Sequence, residues 1–452
     1  MPRVLLIRPN CDEAETEFAE PLGLERLAGY LRAHGIERVD IADRRLCAAE
    51  QQRGIEAPPF WHVVRSAYAH GSPTHVGLSL MTSSDLPDAL RIVSRLRAYY
   101  PHALFCAGGV FVTTSPSEAR QCLPSCVHLI PNEGEAQLLA WIRGHGDTDS
   151  VACPNDWSPA YRPNLVRYAT LGCAVNLQSS RGCPGSCAFC ATPNLPEPYR
   201  TWQPRDLRLV VDEIACESAR LRQAGLPPIF NFVDDDFGPL ARVEELGREL
   251  RRQDVRVAFA LEMRMASLIG QHRLAERLRA LRRLGLTRVF VGVESLNAQT
   301  LRKWRKAYDT TRLPDVIQAF RHTGIALQAG YILWHKGQTV EGATNEVKRL
   351  WELGIYSHRA AMSRLIAFRG CDLSPSDAEL GEAERLYNAF ATHANDLTQR
   401  WTDAAIKEPY AAAVYHLTGD GAGLGELQTT LSEANEESYE LFLELAHSQG
   451  LT

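Results

Sequence analysis

The sequence predicts an α/β protein: an N-terminal doubly wound, Rossmann-like domain, then a partial (β/α)6 barrel, then a helical C-terminal region. Three observations carry this. Short apolar runs alternate with helix-periodic segments over residues 1–145. The alternation resumes over residues 171–373, after a Pro-, Asp- and Asn-rich stretch at 146–170 that reads as a linker. Residues 374–452 are helix-rich and polar.

Each element follows from local pattern. "RVLLIRP" is an apolar strand-like run, and "PLGLERLAGYLRAHGI" places Leu22, Leu24, Leu27, Tyr30 and Leu31 at helical spacing. "VDIAD", "HVGLSLM", the helical "DLPDALRIVSRLRAYYP" and the strand "ALFCAGG" continue the series, as a parallel sheet covered on both faces requires. In the second region, helix-like "DLRLVVDEIACESARL", "RVEELGRELRRQ", "RLAERLRALRRLG" and "LPDVIQAFRHTG" separate strand-like "IFNFVDDDF", "RVAFALEMR", "RVFVGVES" and "ALQAGYILW". That is about six βα units, too few for a closed eight-fold barrel.

Composition excludes several classes. The 452 residues are 45% apolar with a formal charge of -5, so no polybasic field draws in nucleic acid or an anionic membrane. No apolar run approaches the roughly 20 residues that span a bilayer, and the opening "MPRVLLIRPNCDEAE" turns acidic before a signal-peptide core could form. The expectation is a cytoplasmic protein with reduced thiols and neither nucleic-acid nor membrane partners.

Three of the twelve cysteines are concentrated in "SSRGCPGSCAFCATP", where Cys183, Cys187 and Cys190 form C-x₃-C-x₂-C with Phe189 before the last. A zinc site would need a second Cys or His pair nearby, and no His lies between Cys190 and His272. A cubane cluster has four irons, each usually capped by one thiolate, so three thiols leave one iron open. The amino and carboxylate groups of S-adenosylmethionine can chelate that iron, and electron transfer into the sulfonium yields a 5′-deoxyadenosyl radical.

"RGCPGSCAFC", placed where a first barrel strand would end, resembles the cluster loop of the radical S-adenosylmethionine superfamily. "SLMTSSDLPDAL", "CAGGVFVT", "IPNEGEAQLLAWI", "NFVDDDFGP", "FALEMR" and "VFVGVESLNAQTLRKWRK" resemble blocks of the subgroup that carries an N-terminal cobalamin-binding-type domain. The likeness covers about residues 1–370. It implies a [4Fe-4S] cluster on Cys183, Cys187 and Cys190. It also implies S-adenosylmethionine held by Phe189, Asp234, Glu262, Arg264, Glu294 and Ser295, with Asp236 expected to cap the following helix. Asp235, Tyr331, His335 and Lys336 are the candidates for substrate chemistry. Trp334, His335 and Lys336 are expected to put bulk and titratable groups beside the substrate.

The sequence also departs from that subgroup. It has no D-x-H-x-x-G string, and Gly108-Gly109 is followed by Val110-Phe111-Val112-Thr113, where relatives often carry an imidazole. The balance therefore leans slightly against bound cobalamin, with the domain kept as a vestigial scaffold. Length and layout resemble the aminoglycoside diol dehydratases that begin C3′-deoxygenation of paromamine in apramycin-type antibiotic biosynthesis. That resemblance implies a lyase dehydrating an aminosugar, an electron donor such as flavodoxin or ferredoxin, and a downstream NAD(P)H reductase. The alternative is a cobalamin-dependent radical C-methyltransferase.

Overall fold

The computed structural model describes residues 1–10, 19–68, 71–144, 157–195, 200–306, 308–367 and 370–449. The chain forms two compact units, Met1–Cys173 and Ala174–Thr452.

In the first unit, β1 (Arg3–Arg8), β2 (Arg38–Asp43), β3 (His75–Ser79), β4 (Leu104–Gly108) and β5 (Val127–Ile130) form one parallel sheet in the order β2-β1-β3-β4-β5. β1 shows why this sheet is covered on both faces. Leu5 and Ile7 join one core with Phe60, Ile92 and Leu96, while Val4 and Leu6 join the other with Leu24, Leu31 and Leu139. A strand buried on both faces reads as a continuous apolar run, which is what "VLLI" is. With this strand order, the chain reverses direction across the sheet between β1 and β3, and such sheets bind ligands beyond their carboxyl ends.

Residues 145–156, which include the first part of the expected linker, lie outside the described residues. The part that is described packs onto the first unit. The Arg162 guanidinium is buried 3.2 Å from Glu20 and 3.5 Å from Glu25, and Arg167 makes a two-pronged pair with Glu50 at 2.8 and 2.6 Å. Tyr168 donates to the buried Asp43 carboxylate, which also receives Arg8 at 2.6 Å.

The second unit carries β6 (Val175–Leu177), the short antiparallel pair β7 (Ser180–Arg181) and β8 (Gln203–Pro204), then β9 (Ile229–Phe232), β10 (Ala258–Arg264), β11 (Leu286–Glu294) and β12 (Ala326–Tyr331). The parallel sheet runs β12-β11-β10-β9-β6. Of the six expected strands, five are in this sheet, and the sixth position is reduced to an isolated parallel bridge between Trp334 and Arg364. The helix Asn395–Thr418 covers the amino ends of the central strands: Ala413 packs on Ile229 and Ala258, the first residues of β9 and β10, with Tyr410, Val414 and Leu417 beside them.

Trp334 is fully buried in this packing, its ring 5.5 Å from Tyr387 and 5.8 Å from Phe442, with its indole N–H on Ala361 O at 2.5 Å. It belongs to the C-terminal core and does not serve a substrate, because a large aromatic following a strand found helices to pack against.

A buried polar chain ties the same helices together. Tyr356 OH lies 2.7 Å from Ser438 Oγ, which is 2.9 Å from His358 Nδ1, and His358 Nε2 is 2.8 Å from Thr398 Oγ1. Thr398 Oγ1 donates to Ala394 O, so it accepts from Nε2–H and leaves Nδ1 to accept from Ser438. The ring is therefore neutral, and burial lowers its pKa to about 4. Between about pH 6.5 and 4 the unfolded chain binds a proton here that the folded chain refuses, so stability falls as the pH drops through that window. Denaturant unfolding across pH should show His358 contributing up to about 3 kcal/mol of this loss, and His358→Gln should remove that part of the slope.

Candidate functional site at the carboxyl ends of the barrel strands

The cysteine loop leaves β6 through Ser179 and Ser180, and Asp234, just beyond β9, holds both. Its carboxylate accepts from the backbone N–H of Ser179 at 2.7 Å and of Ser180, and from their hydroxyls at 3.1 and 3.0 Å. Asp234 is 2% exposed, and burial pushes its pKa up to about 7 against the pull of these donors. Its oxygens are thus directed at the loop's entry and away from the mouth where the cofactor was expected.

The neighbouring acids diverge. Asp236, also buried, accepts from Arg264 Nε at 2.8 Å and from Gly238 N–H at 3.3 Å. The helix Leu240–Arg252 begins at Pro239 with no side-chain cap, so the capping role expected of Asp236 is corrected: it fixes Arg264. Asp235 is the exposed member of the triplet, and its pKa is raised by the surrounding protein and by the Asp236 carboxylate.

Within the loop, the sulfurs of Cys183 and Cys187 converge on the Gly185 turn. A Cβ at Gly185 would lie 3.3 Å from Cys183 Sγ and 3.8 Å from Cys187 Sγ, and Gly185 N–H donates to Cys183 Sγ at 3.3 Å. On the other side, Ala188 N–H donates to Trp304 O at 2.9 Å, and Asp372 N–H donates to Ala188 O at the same distance. Phe189 sets its edge on Trp304 at 5.7 Å, and Trp304 in turn meets His335 at 5.0 Å.

Cys183, Cys187 and Cys190 are all half-buried and free of disulfides. Burial raises the thiol pKa of Cys183 and Cys187, so their thiolates need cationic compensation. Among the described residues, no three His, Cys, Asp or Glu side chains close around a single ion. A cubane asks for a different arrangement, one thiolate at each of several corners, and two half-buried thiols at a side-chain-free turn with a third, Cys190, next along the loop fit that demand.

Two more residues complete the mouth. Glu294, at the end of β11, has φ +67, beyond an irregularity in the ladder between Gly292 and Glu294. Lys306 Nζ donates to Glu294 Oε1 at 3.1 Å. Glu262 is half-buried and, by the two-residue alternation, shares a face of β10 with Arg264.

Other expected residues turn elsewhere. Ser295 is fully buried 3.5 Å from both Glu346 oxygens, and Tyr331 donates to Glu346 while accepting from Leu296 N–H at 3.0 Å. Both point to the helix Val340–Leu353, so neither meets the expected cofactor or substrate role. His335 lies behind Trp304 with its pKa lowered by burial, and Lys336 is exposed. Lys306 and Trp304 were missed because they sit in "RKWRK", whose Arg302, Lys303 and Arg305 face solvent. A charge pattern alone does not say which member turns inward.

On the first unit, the carboxyl end of β4 runs into the glycine pair Gly108-Gly109, packed against the residues after β3 and at the end of β5. Gly109 has φ +101, and a Cβ there would lie 2.5 Å from Leu80 O. A Cβ at Gly108 would lie 2.9 Å from Ile130 O. Close strand packing therefore accounts for the glycine pair by itself. Met81 and Val110 beside them are 46% and 50% exposed, an apolar edge suited to a flat macrocycle.

Residues 177–348 match the radical SAM superfamily and residues 15–141 match the B12 binding domain. Curated relatives include hopanoid C-3 methylase of Methylococcus capsulatus, 26% identical over 341 residues that cover 69% of this chain and 61% of the relative. They also include the anaerobic magnesium-protoporphyrin IX monomethyl ester cyclase of Synechocystis, 26% identical over 284 residues that cover 57% and 55%. The chain thus spans less than two thirds of these relatives' length. Among solved structures, OxsB, a cobalamin-dependent S-adenosylmethionine radical enzyme with aqua-cobalamin bound, aligns with TM-score 0.72 over 99% of this chain and 80% of its own at 14% identity. The radical S-adenosylmethionine methyltransferase TsrM from Kitasatospora setae aligns with TM-score 0.58 over 78% and 71% at 17% identity. These two share the fold. The B12-domain match corrects the leaning against cobalamin, and nothing in the comparisons supports an aminoglycoside dehydratase.

Removing the loop anchor has a specific expected cost. Asp234→Ala leaves the backbone N–H groups of Ser179 and Ser180 and the Ser179 hydroxyl without this acceptor, at about 1–3 kcal/mol each before relaxation, while Ser180 Oγ keeps Asp236 O at 3.0 Å. Thermal unfolding should drop by several degrees, and iron uptake on anaerobic reconstitution should fall. Asp235→Asn, on the exposed member of the triplet, should leave both measurements at the wild-type value.

Proposed function

We propose that this chain, which joins a B12-binding domain to a radical SAM domain, is a cobalamin-dependent radical S-adenosylmethionine methyltransferase acting on a small molecule. The observation that carries this reading is the pairing, in one chain, of a three-thiol loop at the mouth of a partial barrel with a doubly wound unit that matches the B12 binding domain. The methylase and methyltransferase names among its relatives support methyl transfer over the dehydration first expected.

When bound, the cluster and S-adenosylmethionine would supply one-electron cleavage of a sulfonium, and the corrin would supply an alkyl carrier. The chain's own residues do the rest. Cys183, Cys187 and Cys190 hold the cluster. Arg264, fixed by Asp236, can pair with the methionyl carboxylate, and Glu294 and Glu262 can accept from its ammonium and from ribose hydroxyls. Asp235 is the carboxylate left facing the mouth.

Deeper in the barrel, Arg288 donates to Gln328 Oε1 at 3.2 Å and to Asn231 Oδ1 at 3.4 Å. Phe290 lies across Gly330, where a Cβ would come 2.5 Å from the ring. This gives a substrate chamber a polar floor and an aromatic wall, and covering the reacting carbon there excludes water. A low-potential one-electron donor, such as flavodoxin or ferredoxin, would complete the system.

Anaerobic purification with hydroxocobalamin, followed by reconstitution with iron and sulfide, tests this directly. The expected result is stoichiometric corrin absorbance, and S-adenosylhomocysteine beside 5′-deoxyadenosine once dithionite and S-adenosylmethionine are added. Cys187→Ala should keep the corrin and lose 5′-deoxyadenosine. A corrin-free protein that makes 5′-deoxyadenosine without S-adenosylhomocysteine would refute methyl transfer.

A further inference from the structure

We infer that Lys306 and Glu294 form an electrostatic control on the cysteine loop, with Lys306 a positioning residue whose ammonium raises the reduction potential of the cluster held there. This rests on the proposed cluster site but assigns a role that the methyltransferase reading does not require.

Several features are arranged to seat this pair. Arg305 adopts φ +54, and the chain turns so that Lys306 is enclosed while Arg302, Lys303 and Arg305 stay exposed. Lys306 N–H is fixed on Leu301 O at 2.9 Å, and two residues earlier Trp304 O accepts from Ala188 of the cysteine loop. The side chains of Lys306 and Glu294 are only 15% and 13% exposed. Lys306 Nζ also stands 5.9 Å from the centroid of Phe189, the residue before Cys190. At Gly292, a Cβ would collide with Glu294 Oε1 and come within 2.7 Å of Lys306 Nζ, so β11 gives up a side chain to make room. Glu294 itself is held in left-handed backbone, which strains a non-glycine residue.

A buried ion pair is weak evidence for stability, because desolvation offsets its attraction. Strained backbone, a missing side chain and an enclosed ammonium converging beside the thiols instead point to a field that matters there. One-electron reduction adds a negative charge to the cluster, and a nearby cation stabilises the reduced form more than the oxidised one.

Opposite signs test this. The full-length protein, reconstituted anaerobically and free of S-adenosylmethionine, is titrated with dithionite while the reduced-cluster electron paramagnetic resonance signal is followed. Lys306→Gln should shift the midpoint to more negative potential, and Glu294→Gln, which leaves the ammonium uncompensated, to less negative potential. Lys306→Arg should hold the wild-type value, as should Arg302→Gln on the exposed side of the same segment. Unchanged or same-direction shifts at full iron content overturn the inference and leave the cluster site standing. A wild-type protein with no cubane signal instead overturns the cluster site and this role with it.

Discussion

The candidate site depends first on a buried carboxylate. Asp234 gathers the backbone and hydroxyl donors of Ser179 and Ser180, and this fixes the direction in which the chain leaves β6 three residues before Cys183. A loop carrying three thiols has no regular hydrogen bonds of its own to place the sulfurs, so its ends must be held from outside. Just after Cys187 the loop is held again, by the main-chain groups of Trp304 and Asp372 on the backbone of Ala188. An arm of side-chain acceptors on one side and one of main-chain groups on the other leave the Gly185 turn as the part that presents sulfur.

Ion pairs then divide the loop's surroundings. Asp236 and Arg264 act on Cys183, Lys306 and Glu294 act on Cys187, and Arg264 reaches Cys187 as well. Each pair brings a cation to sulfurs whose burial otherwise disfavours thiolate, while its acid keeps that cation oriented. The acids stand at the carboxyl ends of β9 and β11, and Arg264 at that of β10, where loops can vary without disturbing the buried ladders.

Much of this was legible in the sequence, and the failures have physical causes. The cysteine spacing and the alternation of strands and helices come from local chemistry, and both appear where expected in the fold. Orientation was harder to read. In "ALQAGY" no polar alternation marks a face, so the sequence cannot say that Gln328 and Gly330 share one side while Tyr331 takes the other. Ser295 follows a left-handed Glu294, and the turn carries it out of the strand pattern. Trp334 was ambiguous because its partners, Tyr387 and Phe442, lie far along the chain. Asp234 and Asp235 are adjacent in sequence yet buried and exposed in the fold, a difference set by the serines across the barrel wall.

That difference bears on what the mouth can recognise. A cluster of strand-end acids first suggested a cationic aminosugar, on the premise that the carboxylates are available to it. In the structure the carboxylate of Asp234 meets serine donors, that of Asp236 meets Arg264, and that of Glu294 meets Lys306. Each acid that faces a donor or cation of this chain contributes little net negative field to a ligand, and two of the three bring a positive group to the mouth with them. A polycation entering here would meet its own charge at Arg264 and Lys306, with the carboxylates of Asp235 and the half-buried Glu262 also at the mouth. The carboxylates of Asp234, Asp236 and Glu294 are committed to neighbours in this chain, so the premise that all the strand-end acids stand free for an aminosugar does not hold.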